Sequence, residues 1–368
     1  MPEPLKNVYS LKFIAQLCSS WKSLLPHINE AVFAQRVFEG NWEELELKER
    51  MSRLSDAMKL VLPNDFTKAA TLIKKLISKL SEDGFPTGGF EFMFIPEYIE
   101  KNGTVDLEIS LDALKYITQF TSCEFAIRPF IILNEKRTME FMLTCSLSQH
   151  PNVRRFASEG CRSRLPWAIA LPRFKKDAAL ILPILEKLKE DESLFVRKSV
   201  ANNLNDISKD HPELALKLAE KWIGKNQKTD WLVKHGMRTL LKAGHPSVMA
   251  LFGYAAIDNL RTSSIQVNTP VVSIGNNLKF QFNLENKTQK EQTIRLEYGI
   301  YFMKSNGVQN KKVFKISERK LKNRETISIQ KSHSIKPIST RKYYPGEHGI
   351  TLIVNGIEFE KHGFLLNM

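Results

Sequence analysis

The chain has 368 residues, of which 42% are hydrophobic and 26% charged, enough to bury a real core and more readily two domains than one. A formal net charge of +14 favours an anionic partner such as nucleic acid. No apolar run is long enough to cross a bilayer, and the opening "MPEPLKNVYS" lacks a charged segment followed by an apolar one, so a cytoplasmic setting without a membrane partner is expected. Cys18, Cys123, Cys145 and Cys161 show no CxxC spacing, and the eight histidines no ligand spacing. Neither a zinc site, a disulfide framework nor any other cofactor is expected.

From about Leu11 to Tyr254, apolar residues recur at helical spacing. "EELELKERMSRLSDAMKLVL", "FTKAATLIKKLISKL", "LDALKYITQF", "KDAALILPILEKLKE" and "PELALKLAEKWIGK" each predict a helix, punctuated by proline and glycine. Helix after helix with short connections suggests an α-solenoid. After Thr262 the period becomes two, in "SIQVNTPVVSI", "LKFQFNL", "TIRLEYGIYFM", "KKVFKIS", "ETISIQ", "ITLIVNG" and "IEFEKHGFLL", with turns such as "SNG", "PGEHG" and "VNG" between them. These strands predict an immunoglobulin-like β-sandwich. The expected division is a helical domain over 1–262 and a sandwich over 263–368. Residues 265–368 hold 17 Lys/Arg against 8 Asp/Glu, so the sandwich is the more basic part per residue. "NKKVFKISERKLKNR" concentrates that charge, either as a solvated surface or as a patch that touches phosphate through Lys311 and Lys312.

Three segments align without gaps: "PNVRRFASEGCR", "LFVRKSVANNLN" and "WLVKHGMRTLLK". Val153, Val196 and Val233 coincide, followed by Arg154, Arg197 and Lys234; "CEFAIRPFIIL" offers a similar Ile127–Arg128 pair. An aliphatic-then-basic start to each helix suggests HEAT-like units, whose stacking sets equivalent positions in a row. Arg128, Arg154, Arg197 and Lys234 would then either follow a phosphate backbone or pair with the carboxylate of a neighbouring repeat. His235 and Arg238 read as DNA-backbone contacts or solvated residues.

The stretch "HPNVRRFASEGCRSRLPW" gathers Arg154, Arg155, Arg162 and Arg164 around Glu159 and Trp167. Pro151 fits a first helical position. Arg155, Glu159 and Arg162 share one face at spacings of four and three. They form either a solvated ion-pair cluster or a carboxylate held ionised on a cationic surface. Trp167 is either a plug between helices or a ring whose face meets a cation or a base.

"EFAIRPFI", "HPNVRRFASEGCRSRLPWA" and "VRKSVANNLNDISKDHPELAL" resemble the AlkC family of DNA alkylation repair glycosylases, relatives of the AlkD-type HEAT-like repeat enzymes. The resemblance spans the helical part and is most specific in "RRFASEGCRSRLPW". Some members carry a C-terminal immunoglobulin-like domain, which the basic sandwich resembles. The resemblance implies excision of cationic bases, such as 3-methyladenine and 3-methylcytosine, from duplex DNA during base excision repair. It also implies that the lesion is reached in place on a bent duplex. A monomer is expected because one DNA site per chain suffices, with a nucleoid-associated place in the cytoplasm. The family's site residues map onto Glu124, Glu159, Trp167 and Asp206, with Phe125 as a further candidate. The DNA-facing cations become Arg128, Arg154, Arg155, Arg162, Arg164, Arg197, Lys198, Lys234, His235 and Arg238.

These residue types suit that chemistry. An N-alkylated base already carries positive charge and leaves readily. Positive charge then develops on the deoxyribose, where a fixed carboxylate stabilises it and orients or deprotonates water. A tryptophan face attracts a cation. The residues leave two other readings: a non-catalytic DNA-binding repeat protein, or a protein-interaction scaffold, the common work of α-solenoids.

Overall fold

The computed structural model describes residues 3–338 and 341–368. Helices run from Leu11–Trp21 to Pro246–Leu251, and nine strands follow among the described residues. The chain is thus an array of helices followed by an all-β sandwich, as the change of period predicts.

Local chemistry starts the helices where the sequence signals them. Ser10 caps Leu11–Trp21, its side chain accepting from the Phe13 N–H at 3.3 Å. Asp65 caps Phe66–Glu82 through the Lys68 N–H at 2.8 Å, and Glu46 with Glu49 closes a capping box at Leu47–Ala57. Proline marks where predicted runs break. "KDAALILPILEKLKE" keeps only Leu182–Leu188 as helix, with Pro183 in its first turn. Pro172–Lys176 forms a separate short helix before it.

The three aligned segments fall on Pro151–Gly160, on the first part of Leu194–Asp210, and on the end of Gln227–Gly236 followed by the short helix Arg238–Lys242. Leu194–Asp210 packs against both Pro151–Gly160 and Gln227–Gly236. Val153, Val196 and Val233 are all buried, so the shared aliphatic position is the inward one. Gly236 lets the last pair close up, since a Cβ there would lie 2.7 Å from a Leu204 methyl.

The chain separates into two compact units, Met1–His211 with Trp222–Gly236, and Pro212–Lys221 with Met237–Met368. The helices Arg238–Lys242 and Pro246–Leu251 therefore group with the sandwich. Within that unit the positive-φ turns at Gly244 and Gly356 meet so closely that a Cβ on Gly244 would sit 2.4 Å from the Gly356 carbonyl.

The strands are β1 (Leu260–Thr262), β2 (Gln266–Val267), β3 (Val271–Ser273), β4 (Asn277–Asn286), β5 (Gln292–Met303), β6 (Gln309–Leu321), β7 (Thr326–Ser334), β8 (Gly346–Val354) and β9 (Ile357–Asn367). One sheet pairs β1, β2 and β7 with β4; the other runs β3-β9-β8-β5-β6. The predicted run "SIQVNTPVVSI" divides at Pro270. β2 pairs antiparallel with β4, and β3 parallel with β9 in the other sheet. Proline supplies no N–H to a ladder, which is why the change of sheet falls there. Phe280, Phe282, Leu296, Ile300, Leu352 and Phe364 fill the core between the sheets.

All four cysteines are buried and free. Burial pushes the Cys18 thiol up to about 11 and Cys145 and Cys161 up to about 12, and raises Cys123 well above its ordinary value. Among the described residues, no helix is long and apolar enough to cross a membrane, and no group of three or more His, Cys, Asp or Glu is placed to hold a metal ion.

Candidate active site

Glu159 lies at the end of the Pro151–Gly160 helix, which His150 caps by accepting from the Asn152 N–H at 3.2 Å. The next residue has no room for a side chain: a Cβ on Gly160 would meet Ile127 at 2.8 Å and Met142 at 2.9 Å. This close approach seats the helix end against the turn that carries Glu124. The two carboxylates therefore come from segments 35 residues apart in sequence, joined by local packing.

Both are buried, with Glu124 3% and Glu159 5% exposed. The Glu124 carboxylate accepts from the Ser122 hydroxyl and from Arg155 Nη1. Arg155 Nη2 lies 3.9 Å from Glu159 Oε1, so one guanidinium spans the two acids. Arg162 Nη1 donates to the same Glu159 oxygen at 2.6 Å, and its Nε donates to Asp206 Oδ2 at 2.8 Å. Glu159 Oε2 is buried with no hydrogen-bond partner among the described residues. Burial raises the Glu124 carboxyl above its ordinary value and the neighbouring Glu159 adds to this, while Arg155 pulls it down.

Glu124, Phe125, Arg155, Glu159, Leu165 and Trp167 line one cavity of about 280 Å³, with Leu5, Tyr9, Leu47, Lys48, Met51, Phe90 and Met93 on its other walls. Trp167 is 66% exposed, which settles its place as an open ring rather than a plug. Its backbone is left-handed, with φ at 67°. Lys48 Nζ donates to the Trp167 carbonyl at 3.0 Å and stands 5.7 Å from the Phe125 ring centre, so it links the aromatic rim to the Leu47–Ala57 helix.

The solvated ion-pair reading of Arg155, Glu159 and Arg162 is corrected by burial. Asp206 does not line the cavity. It is 1% exposed behind Arg162, with Lys209 Nζ 3.2 Å from its other oxygen. Arg128 and Arg162 do not belong among phosphate contacts. Arg128 is fully buried and donates to the carbonyls of Ile169 at 2.5 Å, Gly160 at 3.0 Å and Arg162 at 2.8 Å. Burial lowers its guanidinium to about 10, which still leaves it cationic near neutrality. It clamps the "GCRSRLPWAI" loop, and the loop in turn presents Trp167.

Arg154 takes the ladder role, gripping Asp191 with Nε at 2.5 Å and Nη2 at 2.9 Å. Arg197 donates to the carbonyls of Asp191 and Glu192 at 2.6 and 2.9 Å. Arg164 pairs with Asp210 at the surface, and Lys198 is exposed. Lys234, His235 and Arg238 are half-buried, with the His235 ring stacked on Trp231. In the sandwich, Lys311 is exposed and 2.7 Å from Glu358, beside an exposed Lys312.

Sequence reasoning missed Lys48 and Ser122. Lys48 arrives from more than a hundred residues away, and no local pattern marks it. Ser122 stands two residues before Glu124, where a hydroxyl commonly bonds a nearby group, and that spacing was a usable signal.

Residues 261–368 match the family described as "Uncharacterised protein YhaZ, C-terminal Ig-like domain". The chain is 40% identical over 352 residues to "Uncharacterized protein YhaZ" of Bacillus subtilis (strain 168), covering 96% of each. A solved structure, "Pseudomonas fluorescens alkylpurine DNA glycosylase AlkC bound to DNA containing an abasic site analog", is similar over 100% of both chains, with a TM-score of 0.93 and 35% identity. A full-length likeness at that identity, with two acids and an exposed tryptophan around one cavity, places this chain in the AlkC family.

Proposed function

We infer that the chain is a monofunctional DNA glycosylase. It hydrolyses the N-glycosidic bond of cationic alkylated bases, of the 3-methyladenine and 3-methylcytosine type, in duplex DNA. The observation that carries this reading is the pair of buried acids, Glu124 and Glu159, spanned by Arg155 and lining one cavity with Trp167. The family relationship supports the same activity, since the AlkC of Pseudomonas fluorescens is described as an alkylpurine DNA glycosylase bound to DNA.

The proposed roles follow from position. Glu159 faces the sugar, where its charge stabilises the oxocarbenium character that develops as the C1′–N bond breaks. Its carboxylate orients or deprotonates the attacking water. Glu124 adds a second negative charge, which favours the cationic base and the cationic transition state alike. The open face of Trp167 attracts the positive lesion. Arg162 and Asp206 act through Glu159, with Asp206 fixing Arg162 and Arg162 fixing the carboxylate.

Arg164, Lys198, Lys234, His235, Arg238, Lys311 and Lys312 remain the proposed contacts to DNA backbone. The glycosylase unit is assigned to 1–262 and the immunoglobulin-like domain to 263–368. One pair of acids per chain suits a monomer working at a nucleoid-borne lesion in the cytoplasm.

The test incubates the protein with methylated duplex DNA and measures free 3-methyladenine and 3-methylcytosine by mass spectrometry, beside Glu159→Gln. Release by the wild type that falls about a hundredfold or more in the variant supports the assignment. Release at an equal rate by both would remove Glu159 from the chemistry. No release from any methylated duplex would leave a non-catalytic DNA-binding protein.

A further inference from the structure

Arg155 has a second neighbour that the glycosylase mechanism does not use. Its guanidinium carbon lies 4.4 Å from the ring centre of Phe195, the second residue of the Leu194–Asp210 helix. Phe195 is 49% exposed, although the helix buries Val196 directly after it. One face of the ring is covered by a cation that also grips Glu124, and much of the rest meets solvent. A separate cavity of about 330 Å³ opens there, lined by Phe195, Arg155, Glu124, Ser122 and Asn152 among others. Ser122, Glu124 and Arg155 line both this cavity and the one that holds Glu159 and Trp167. The acid–guanidinium pair is therefore flanked by two exposed aromatic rings, Phe195 lining one cavity and Trp167 the other.

A lone exposed phenylalanine is ordinary. This one differs in three respects: its ring is oriented by a charged partner, it borders a cavity, and it shares a wall with the acids. A planar group that arrives beside Glu124 would meet the ring's free surface. Bases displaced around a lesion are such groups, and stacking on an aromatic ring is indifferent to their sequence.

We propose that Phe195 is a DNA-stacking residue: it packs against a nucleobase neighbouring the damaged nucleotide, while Arg155 holds the ring in place. The proposal rests on the glycosylase reading for the identity of the partner, and it adds a contact outside the reacting centre.

The test pairs Phe195→Ala and Phe195→Tyr with a set of duplexes. Each contains 3-methyladenine, and each has one neighbouring base on either strand replaced by a tetrahydrofuran abasic analog. Single-turnover release is measured, together with affinity for duplexes carrying the analog at the lesion position. On the intact duplex, Phe195→Ala should slow release about tenfold or more, the range that loss of one base–aromatic stack covers. Phe195→Tyr should restore it. On the one duplex that lacks the stacked base, wild type and Phe195→Ala should react alike, because the contact is already gone. The salt dependence of affinity should stay unchanged, since a neutral ring releases no counterions.

An equal loss on every duplex would mean that the ring acts only by orienting Arg155, and the proposal falls. So it does if Phe195→Ala reacts like wild type throughout, or if wild type binds no DNA. A wild type that binds with a Phe195-dependent, base-specific affinity yet releases nothing would keep the stacking contact and remove the glycosylase reading instead.

Discussion

Arg162 Nη1 donates to Glu159 Oε1 at 2.6 Å with both side chains more than nine-tenths buried. The same guanidinium holds Asp206 from its other edge at 2.8 Å. Removing the shared cation takes the shortest ion pair from two buried acids, leaving Asp206 with Lys209 at 3.2 Å and Glu159 with Arg155 at 3.9 Å, whereas removing one acid leaves the cation paired. Arg162→Ala should therefore destabilise the protein by about 3–5 kcal/mol. Glu159→Gln should shift the melting temperature much less while removing activity. Thermal melts of both variants, run beside base-release assays, check the contrast. Equal destabilisation would show that Glu159 is mainly a structural partner.

Arg128 donates to three carbonyls of the segment that presents Trp167. Arg128→Met removes all three bonds from a buried place, and an unsatisfied buried acceptor costs about 1–3 kcal/mol each. The variant should melt lower. Its DNA affinity, measured where it is still folded, should keep the wild-type slope against salt, because no phosphate contact is lost. Lys198→Ala should behave in the opposite way, with an unchanged melt and a shallower salt slope.

Trp167 combines a left-handed backbone, φ at 67°, with an exposed ring. That conformation costs an ordinary residue about 1–2 kcal/mol and glycine almost nothing. Trp167→Gly should thus melt at or above the wild-type temperature, yet release alkylated bases at least about tenfold more slowly. Trp167→Phe should keep most of the activity. A glycine variant with full activity would leave the strained ring without a use.

Burial, aided by Glu97, pushes the Glu100 carboxyl up to about 7 against the pull of Lys48 and Lys101. In the unfolded chain it titrates near its ordinary 4.5. Below that pH the group is neutral in both states and costs nothing. As pH rises through that window to 7, the unfolded state ionises first, and folding stability falls. Glu100→Gln should match wild type near pH 4 and be more stable above pH 7, by on the order of 2–3 kcal/mol. Urea melts at the two pH values measure the difference, and a gain that is constant with pH would exclude the titration of Glu100 as its source.

The change of period after Thr262 was enough to read the fold, because helices and strands bury different residues of a repeating pattern. The helical boundaries shifted where proline divides a run, as at Pro183, and β3 left the sheet of β2 at Pro270. Glu124, Glu159 and Trp167, to which the family resemblance points, line one cavity. Which arginine meets solvent was not legible. Arg128, Arg154 and Arg162 carry the same charge as Arg164. Only packing shows that Arg128 closes carbonyls, Arg154 closes a ladder and Arg162 serves an acid. Lys48 was invisible for a related reason, since it reaches the rim by tertiary packing from a helix far upstream.

The burial of Cys18, Cys123, Cys145 and Cys161 has a consequence for an enzyme that works while its cell is under chemical attack. Methylating reagents seek out thiolates, and their reaction with a cysteine depends on ionisation and access. Here every thiol is enclosed and held protonated at physiological pH. The four thiols, the most nucleophilic groups of the chain once ionised, are thereby withheld from methylating electrophiles of the kind whose damage it repairs.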